Sequence, residues 1–293
     1  MAEGRIIKAL SGFYYVESEN KIYQCRGRGV FRNQKITPLV GDFVEFDIKD
    51  TNEGYIMEIE PRENELVRPP IANINQAIIV SSAISPDFST KLLDRFLVLI
   101  ESKNIEPIIF ITKMDAISED KKAEMGNYKK IYQNIGYQVE LLSTKDSKYF
   151  PDLISYFKDN VTVIAGQSGV GKSSLINALQ PTLLLETAEI SESLGRGKHT
   201  TRHVELLKVH GGLVADTPGF SALDFTEIQA EDLTGYFPEM RERREDCKFR
   251  GCLHHKEPKC AIKEALSNGE LEKFRYNHYI SFLEEIQSRK PRY

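Results

Sequence analysis

Residues 166–173 read Gly166-Gln167-Ser168-Gly169-Val170-Gly171-Lys172-Ser173, the G-x-x-x-x-G-K-S spacing of a phosphate-binding P-loop. The apolar run Val161-Thr162-Val163-Ile164-Ala165 leads in and predicts a buried strand. Ser174-Leu175-Ile176-Asn177-Ala178-Leu179 leads out and predicts a helix. Glycines let the backbone wrap an anion with its N–H groups turned inward, and the helix N-terminus adds partial positive charge. Lys172 then reaches the β- and γ-phosphates of a nucleotide, and the Ser173 hydroxyl is placed to ligate magnesium. Expected nucleotide contacts run from Gly166 to Ser174.

Outward from this loop, strands and helices alternate. Gln76-Ala77-Ile78-Ile79-Val80 and Pro107-Ile108-Ile109-Phe110-Ile111 read as strands, as does Gln138-Val139-Glu140-Leu141-Leu142. Between the first two, Leu92, Leu93, Phe96, Leu97 and Ile100 have helical spacing behind Ser89 or Thr90 as a cap. The alternation predicts a parallel sheet with helices on both faces and ligands at the strand C-termini. The second strand runs into Thr112-Lys113-Met114-Asp115, which resembles the Asn-Lys-x-Asp guanine-recognition motif of GTPases. Asp115 can accept from guanine N1–H and the exocyclic amine together; adenine presents neither donor there. Ser143, Thr144 and Lys145 follow the next strand and resemble a second base-contacting loop. Beyond the P-loop, Asp216-Thr217-Pro218-Gly219 has the D-x-x-G pattern of a second switch, with Asp216 holding magnesium through water and the Gly219 N–H sensing the γ-phosphate. Thr200 or Thr201 supplies the first-switch threonine, with Thr201 favoured. Phe220 stands where many GTPases carry a water-orienting Gln, so intrinsic hydrolysis is expected to be slow, and the water must be positioned by a partner or by a nearby side chain such as His199. Base recognition precedes the P-loop and the switches follow it, the order of a circular permutation.

The flanks differ in character. Before the linker expected at Arg62 to Pro70, about five short β-favouring runs punctuated by glycine suggest a small barrel, with an OB-fold the natural fit. Within it, Lys21, Arg26, Arg28, Arg32 and Lys35 interleave with Tyr23 and Phe31 and no acid intervenes, a pattern suited either to backbone contact and base stacking on RNA or to a solvated hairpin whose aromatics are core. Cys25 reads as a buried small apolar residue. At the other end, Cys247, Cys252, His254 and Cys260 offer three thiolates and an imidazole, a closed tetrahedral set that suits structural zinc. His255 is the alternative to His254. Leu271, Phe274, Tyr279, Leu283 and Ile286 have roughly helical spacing. The expected domains are residues 1–68 (OB barrel), 69–225 (permuted α/β P-loop GTPase) and 226–293 (small helical zinc domain).

A net charge of −4 and a pI near 6.0 exclude a generically basic polyanion binder, so nucleic-acid contacts must be local patches. The start shows no apolar signal core and no stretch approaches the roughly 20 apolar residues of a membrane span, which predicts a soluble, cytoplasmic chain that makes no membrane contact. Nothing demands more than a monomer.

Taken together, these motifs resemble the circularly permuted, small ribosomal subunit-dependent GTPases (RsgA). The resemblance spans the barrel, Thr112 to Asp115 ahead of Gly166 to Ser173, Gly197-Lys198-His199-Thr200-Thr201, Asp216 to Phe220, and the Cys/Cys/His/Cys cluster. It implies a late assembly factor that hydrolyses GTP to GDP faster on the small subunit, and a barrel and zinc domain that hold ribosomal RNA. It also places the family's proposed catalytic histidine on His199. Two other classes compete: an ATP-dependent phosphotransferase, against which Asp115 predicts GTP preference, and an RNA-binding regulator with a vestigial nucleotide site, against which Lys172, Ser173 and Asp216 argue.

Overall fold

The computed structural model describes residues 1–29, 31, 36–50, 52–143, 150–179, 204–216 and 223–289, with backbone alone at 150, 151 and 216. In chain order the strands are β1 (Ala2–Leu10), β2 (Phe13–Ser18), β3 (Lys21–Gly27), β4 (Phe43–Ile48), β5 (Glu53–Ile59), β6 (Glu65–Val67), β7 (Pro70–Ala72), β8 (Gln76–Ser82), β9 (Glu106–Thr112), β10 (Gln138–Leu141), β11 (Val161–Ala165), β12 (Val204–Val209) and β13 (Gly212–Asp216). The helices are α1 (Thr90–Glu101), α2 (Glu119–Ile135), α3 (Phe150–Phe157), α4 (Lys172–Leu179), α5 (Pro238–Arg241), α6 (Ala261–Ser267) and α7 (Lys273–Gln287). They fall into two compact units, Met1–Ile78 with Thr144–Ser221, and Ile79–Ser143 with Ala222–Tyr293. Strand β8 passes from the first into the second.

In the first unit, β1 pairs with β2, β2 with β3, β3 with β5, β5 with β4, and β4 back with β1. The five strands therefore close a barrel, with only β3 and β5 parallel. Alternation sends Ile6, Val16, Cys25, Val44, Phe46 and Ile56 into its interior, each with no exposed surface. Gly54 is required where β5 runs close beneath β4, because a Cβ there would lie 2.7 Å from the Asp47 carbonyl oxygen. The aromatics expected among the basic residues are core-facing: Phe31 is buried and Tyr23 packs on Phe46 at 5.2 Å. The exposed rings are instead Phe43 and Tyr55, each covered by a cation, Arg5 at 4.1 Å and Lys49 at 4.6 Å. Arg32 and Lys35 lie outside the described residues.

The stretch expected as a linker folds as a hairpin of β6 and β7. Arg62 explains why. Its guanidinium takes both oxygens of the fully buried Asp42 at 2.8 and 2.9 Å, and the Leu39 N–H donates to the same carboxylate at 2.7 Å. A buried carboxylate needs such partners, so this segment is fastened to the barrel. The rest of the first unit is the P-loop half. Buried β11 lies parallel to β13, β12 returns antiparallel to it, and β12 pairs with barrel strand β1 through Lys8 and Ala9.

In the second unit, the later residues of β8 neighbour β9, which lies parallel to β10. Ser89 caps α1 by accepting from the Leu92 N–H, and Ser118 caps α2 by accepting from Lys121. Helix α2 stops at Gly136, whose φ of 113° suits a residue without Cβ. A second core gathers Phe225, Phe237, Tyr279, Phe282 and Leu283, all buried, with Phe225 and Phe282 at 5.0 Å and Phe237 and Tyr279 at 5.5 Å. Burial of each such side chain contributes about 1.5–3 kcal/mol, which lets a short segment rich in irregular structure hold a fixed shape.

Candidate functional site

The loop at 166–171 links buried β11 to α4 in the expected strand–loop–helix order. Gly169 and Gly171 adopt φ of 78° and 100°, values that turn successive N–H groups to one side and that a Cβ would strain. The Lys172 side chain folds back over the loop, donating to the Gly166 and Gln167 carbonyls at 2.9 and 2.6 Å. Burial lowers its pKa. Ser173 is partly exposed and Ser174 exposed in the first turn of α4. Asp216 is the last residue of β13, opposite Glu205 of β12. Thr144, His199, Thr200, Thr201, Gly219 and Phe220 lie outside the described residues.

The base motif belongs to the second unit. Thr112 ends β9, fully buried, with its hydroxyl donating to the Ser81 carbonyl at 3.3 Å. Lys113 takes a left-handed φ of 62°, which turns the chain sharply into a short 3-10 turn at Met114–Ala116. The Met114 N–H donates to the Leu142 carbonyl at 3.1 Å, tying the turn to the end of β10. Asp115 is exposed, and the Ser143 hydroxyl donates to its Oδ1 at 2.8 Å. That bond fixes one carboxylate oxygen and so sets the plane of the group. Lys113 Nζ donates to the Ser85 carbonyl in the loop between β8 and α1, a contact that no sequence signal announces.

Cys247, Cys252, His254 and Cys260 bring their ligand atoms within 4.8 Å of one another. The Sγ atoms of Cys247 and Cys260 are 3.9 Å apart, and His254 Nδ1 lies 3.5 Å from Cys247 Sγ and 3.3 Å from Cys260 Sγ. A tetrahedral zinc ion with Zn–S near 2.3 Å and Zn–N near 2.0 Å requires edges of about 3.8 and 3.5 Å, so the donors fit such an ion. His255 is not part of the set; its backbone N–H serves the loop instead. The Glu257 carboxylate accepts from Leu253 and His255 N–H groups, both at 2.9 Å. Burial opposes its charge, yet these backbone donors hold it below the usual carboxylate range. Burial and the neighbouring thiols push Cys252 up to about 12 and raise Cys260, and burial lowers His254. The cluster opens onto a cavity lined by Arg244, Lys248, Phe249 and Arg250.

No helix among the described residues is long and apolar enough to cross a membrane. The family model for the RsgA GTPase matches residues 59–226, and the model for the RsgA N-terminal domain matches residues 3–56. Over the whole length of both chains the protein is 70% identical to "Small ribosomal subunit biogenesis GTPase RsgA 2" of Oceanobacillus iheyensis. It is 60% identical to "Small ribosomal subunit biogenesis GTPase RsgA" of Bacillus subtilis, again over the whole of both. Among solved structures, that of YloQ, described as a circularly permuted GTPase, superposes with a TM-score of 0.86 at 56% identity, covering 100% of this chain and 97% of that one. YjeQ from Thermotoga maritima superposes with a TM-score of 0.87 at 36% identity, covering 99% of each. The closed barrel, the P-loop downstream of the guanine motif and the terminal Cys/His cluster thus accompany a full-length match, and the chain belongs to the RsgA family of circularly permuted GTPases.

Proposed function

We propose that the protein matures the small ribosomal subunit, binding its ribosomal RNA and hydrolysing GTP to GDP when the subunit is engaged. The observation that carries this reading is the guanine motif with Asp115 braced by Ser143, in a chain whose relatives are named for small-subunit biogenesis. Asp115 pairs with guanine N1–H and the exocyclic amine, and the Lys113 stem packs over the base. Thr112, Met114 and Thr144 complete that pocket. Gly166 to Ser174 cradle the phosphates, and Lys172 faces the β- and γ-oxygens. Ser173 and Asp216 hold Mg2+, which neutralises charge developing on the phosphates. Thr201, with Thr200 as its alternate, and Gly219 sense the γ-phosphate. His199 positions the attacking water, since Phe220 offers no hydrogen bond.

The terminal cluster holds one structural zinc through Cys247, Cys252, His254 and Cys260. Functional domains follow residues 1–68, 69–225 and 226–293, in a cytoplasmic monomer. RNA contacts come from the barrel, where Arg5, Arg26 and Lys49 lie over aromatic rings, and from the basic rim of the metal loop. Stacked cations of this kind suit a phosphate backbone beside unpaired bases.

The test is GTP hydrolysis with and without purified small subunits at one salt concentration, beside His199→Ala. Stimulation by small subunits alone, and its loss in a variant that still binds nucleotide, is the expected result. Equal rates with and without subunits, nucleotide binding intact, would detach the GTPase from the ribosome.

A further inference from the structure

The last helix, α7, carries a buried charge cluster that neither the nucleotide reading nor the metal reading uses. Arg275 has no exposed surface. It donates to Asp94 Oδ1 of α1 at 2.6 Å, and to both Glu239 oxygens of α5 at 2.7 and 3.1 Å. Its guanidinium also lies over the Phe237 ring at 4.6 Å. Asp94, equally buried, accepts in addition from the Tyr132 hydroxyl of α2 at 2.7 Å, and its second oxygen lies 2.6 Å from His278 Nδ1. Every oxygen of Asp94 is therefore engaged. Networks so satisfied in a low-dielectric interior are rigid, and removal of one member leaves the others unpaired.

What makes this cluster more than a core feature is where its two ends lead. Toward the metal loop, the residues adjoining Arg275 on α7 hold the loop's backbone. Tyr276 donates to the His254 carbonyl at 2.7 Å and Tyr279 to the Leu253 carbonyl at 3.0 Å. Toward the base motif, α1 begins directly after the loop whose Ser85 carbonyl receives Lys113, and α2 begins at Glu119, shortly after the 3-10 turn that carries Asp115. A second line runs alongside: Phe274 of α7 meets Tyr128 of α2 edge-on at 6.0 Å, and Tyr128 packs on Phe88 of that same loop at 5.2 Å. One stretch of helix, Phe274 to Tyr279, thus touches the ligand loop on one side and both supports of the guanine motif on the other.

We infer that Arg275 is a positioning residue that couples metal loading to guanine binding through α7. An ordered metal loop fixes Tyr276 and Tyr279. That fixes the register of α7 against Asp94, and hence the placement of Lys113 and Asp115. Coupling of this kind is reciprocal, so a base in its pocket must tighten the metal. The inference rests on the proposed guanine and zinc assignments.

The experiment uses the full chain loaded with zinc. Zinc affinity is measured by equilibrium competition with a chromophoric chelator, with and without a saturating fluorescent GDP analogue whose binding is recorded on the same sample. The bound analogue should raise zinc affinity by about fivefold or more. The ratio of the two affinities should fall toward one in Arg275→Lys and in Tyr276→Phe. The tyrosine variant keeps the ring and leaves the buried charges paired, so its readout does not depend on tolerance of a core substitution. A ratio of one in the wild-type chain, with the GDP analogue bound, overturns the coupling, as does a ratio unchanged in both variants. Absence of analogue binding would overturn the guanine assignment instead, and absence of zinc in the purified chain the metal assignment.

Discussion

Asp115 illustrates how much one carboxylate decides. It is exposed, yet Ser143 holds one oxygen at 2.8 Å, so the group is oriented before a base arrives. Asp115→Asn replaces an acceptor with an amide donor. Guanine affinity should fall, on the order of ten-thousandfold where the pairing is fully desolvated. Xanthine, which offers a carbonyl at C2, should gain, and competition between GDP and XDP reads the exchange. Lys172→Ala removes the cation that reaches across the P-loop carbonyls and should abolish triphosphate binding while leaving the fold intact by circular dichroism. In the metal cluster, Cys252 is pushed up to about 12 and Cys260 is raised. Without metal, Cys252 and Cys260 therefore hold their protons at neutral pH, and loading must release them. Zinc affinity should rise with pH and weaken as pH falls, which a chelator competition run from pH 6 to pH 8 tests. The P-loop and the cluster were legible in sequence because their spacing is local. Arg275 was not: an arginine on an amphipathic helix reads as solvated, and its partner Asp94 is 181 residues away.

At the scale of elements, alternation and caps were readable, whereas closure was not. Of the two expected caps, Ser89 rather than Thr90 caps α1, and Ser89→Ala should cost about 1 kcal/mol in urea unfolding. The stretch from Arg62 to Pro70 reads as linker because its prolines and polar residues carry no periodicity. It folds as a hairpin, and Arg62 satisfies the carboxylate that Asp42, 20 residues back, has buried, a contact no local window shows. Arg62→Ala leaves that charge unpaired and should destabilise the barrel by about 3–5 kcal/mol, seen as a lowered denaturation midpoint. Tyr23 and Phe31 stayed open between stacking and core in the sequence for a related reason. Which face of a short strand turns inward is settled by barrel closure, and the pairing of β3 with the distant β5 is invisible in a local window.

Across the whole molecule, each compact unit is assembled from two separate stretches of chain. The barrel is the exception, because its five strands are contiguous from Ala2 to Ile59. Everything else waits. Barrel strand β1 is joined to β12 through Lys8 and Glu205, and the P-loop strand β11 leans on β13. During synthesis the N-terminal fifty-odd residues can therefore compact early, while the strand beneath the P-loop stays unpaired on one side until β13 has left the exit tunnel. Such distant pairings also slow folding. Nascent chains arrested short of β13 should accordingly show a protease-resistant barrel followed by a protease-sensitive remainder. The permuted order, which leaves the finished architecture recognisable, thus reschedules its birth: the barrel can form first, and the P-loop strand gains its partner only once β13 has emerged.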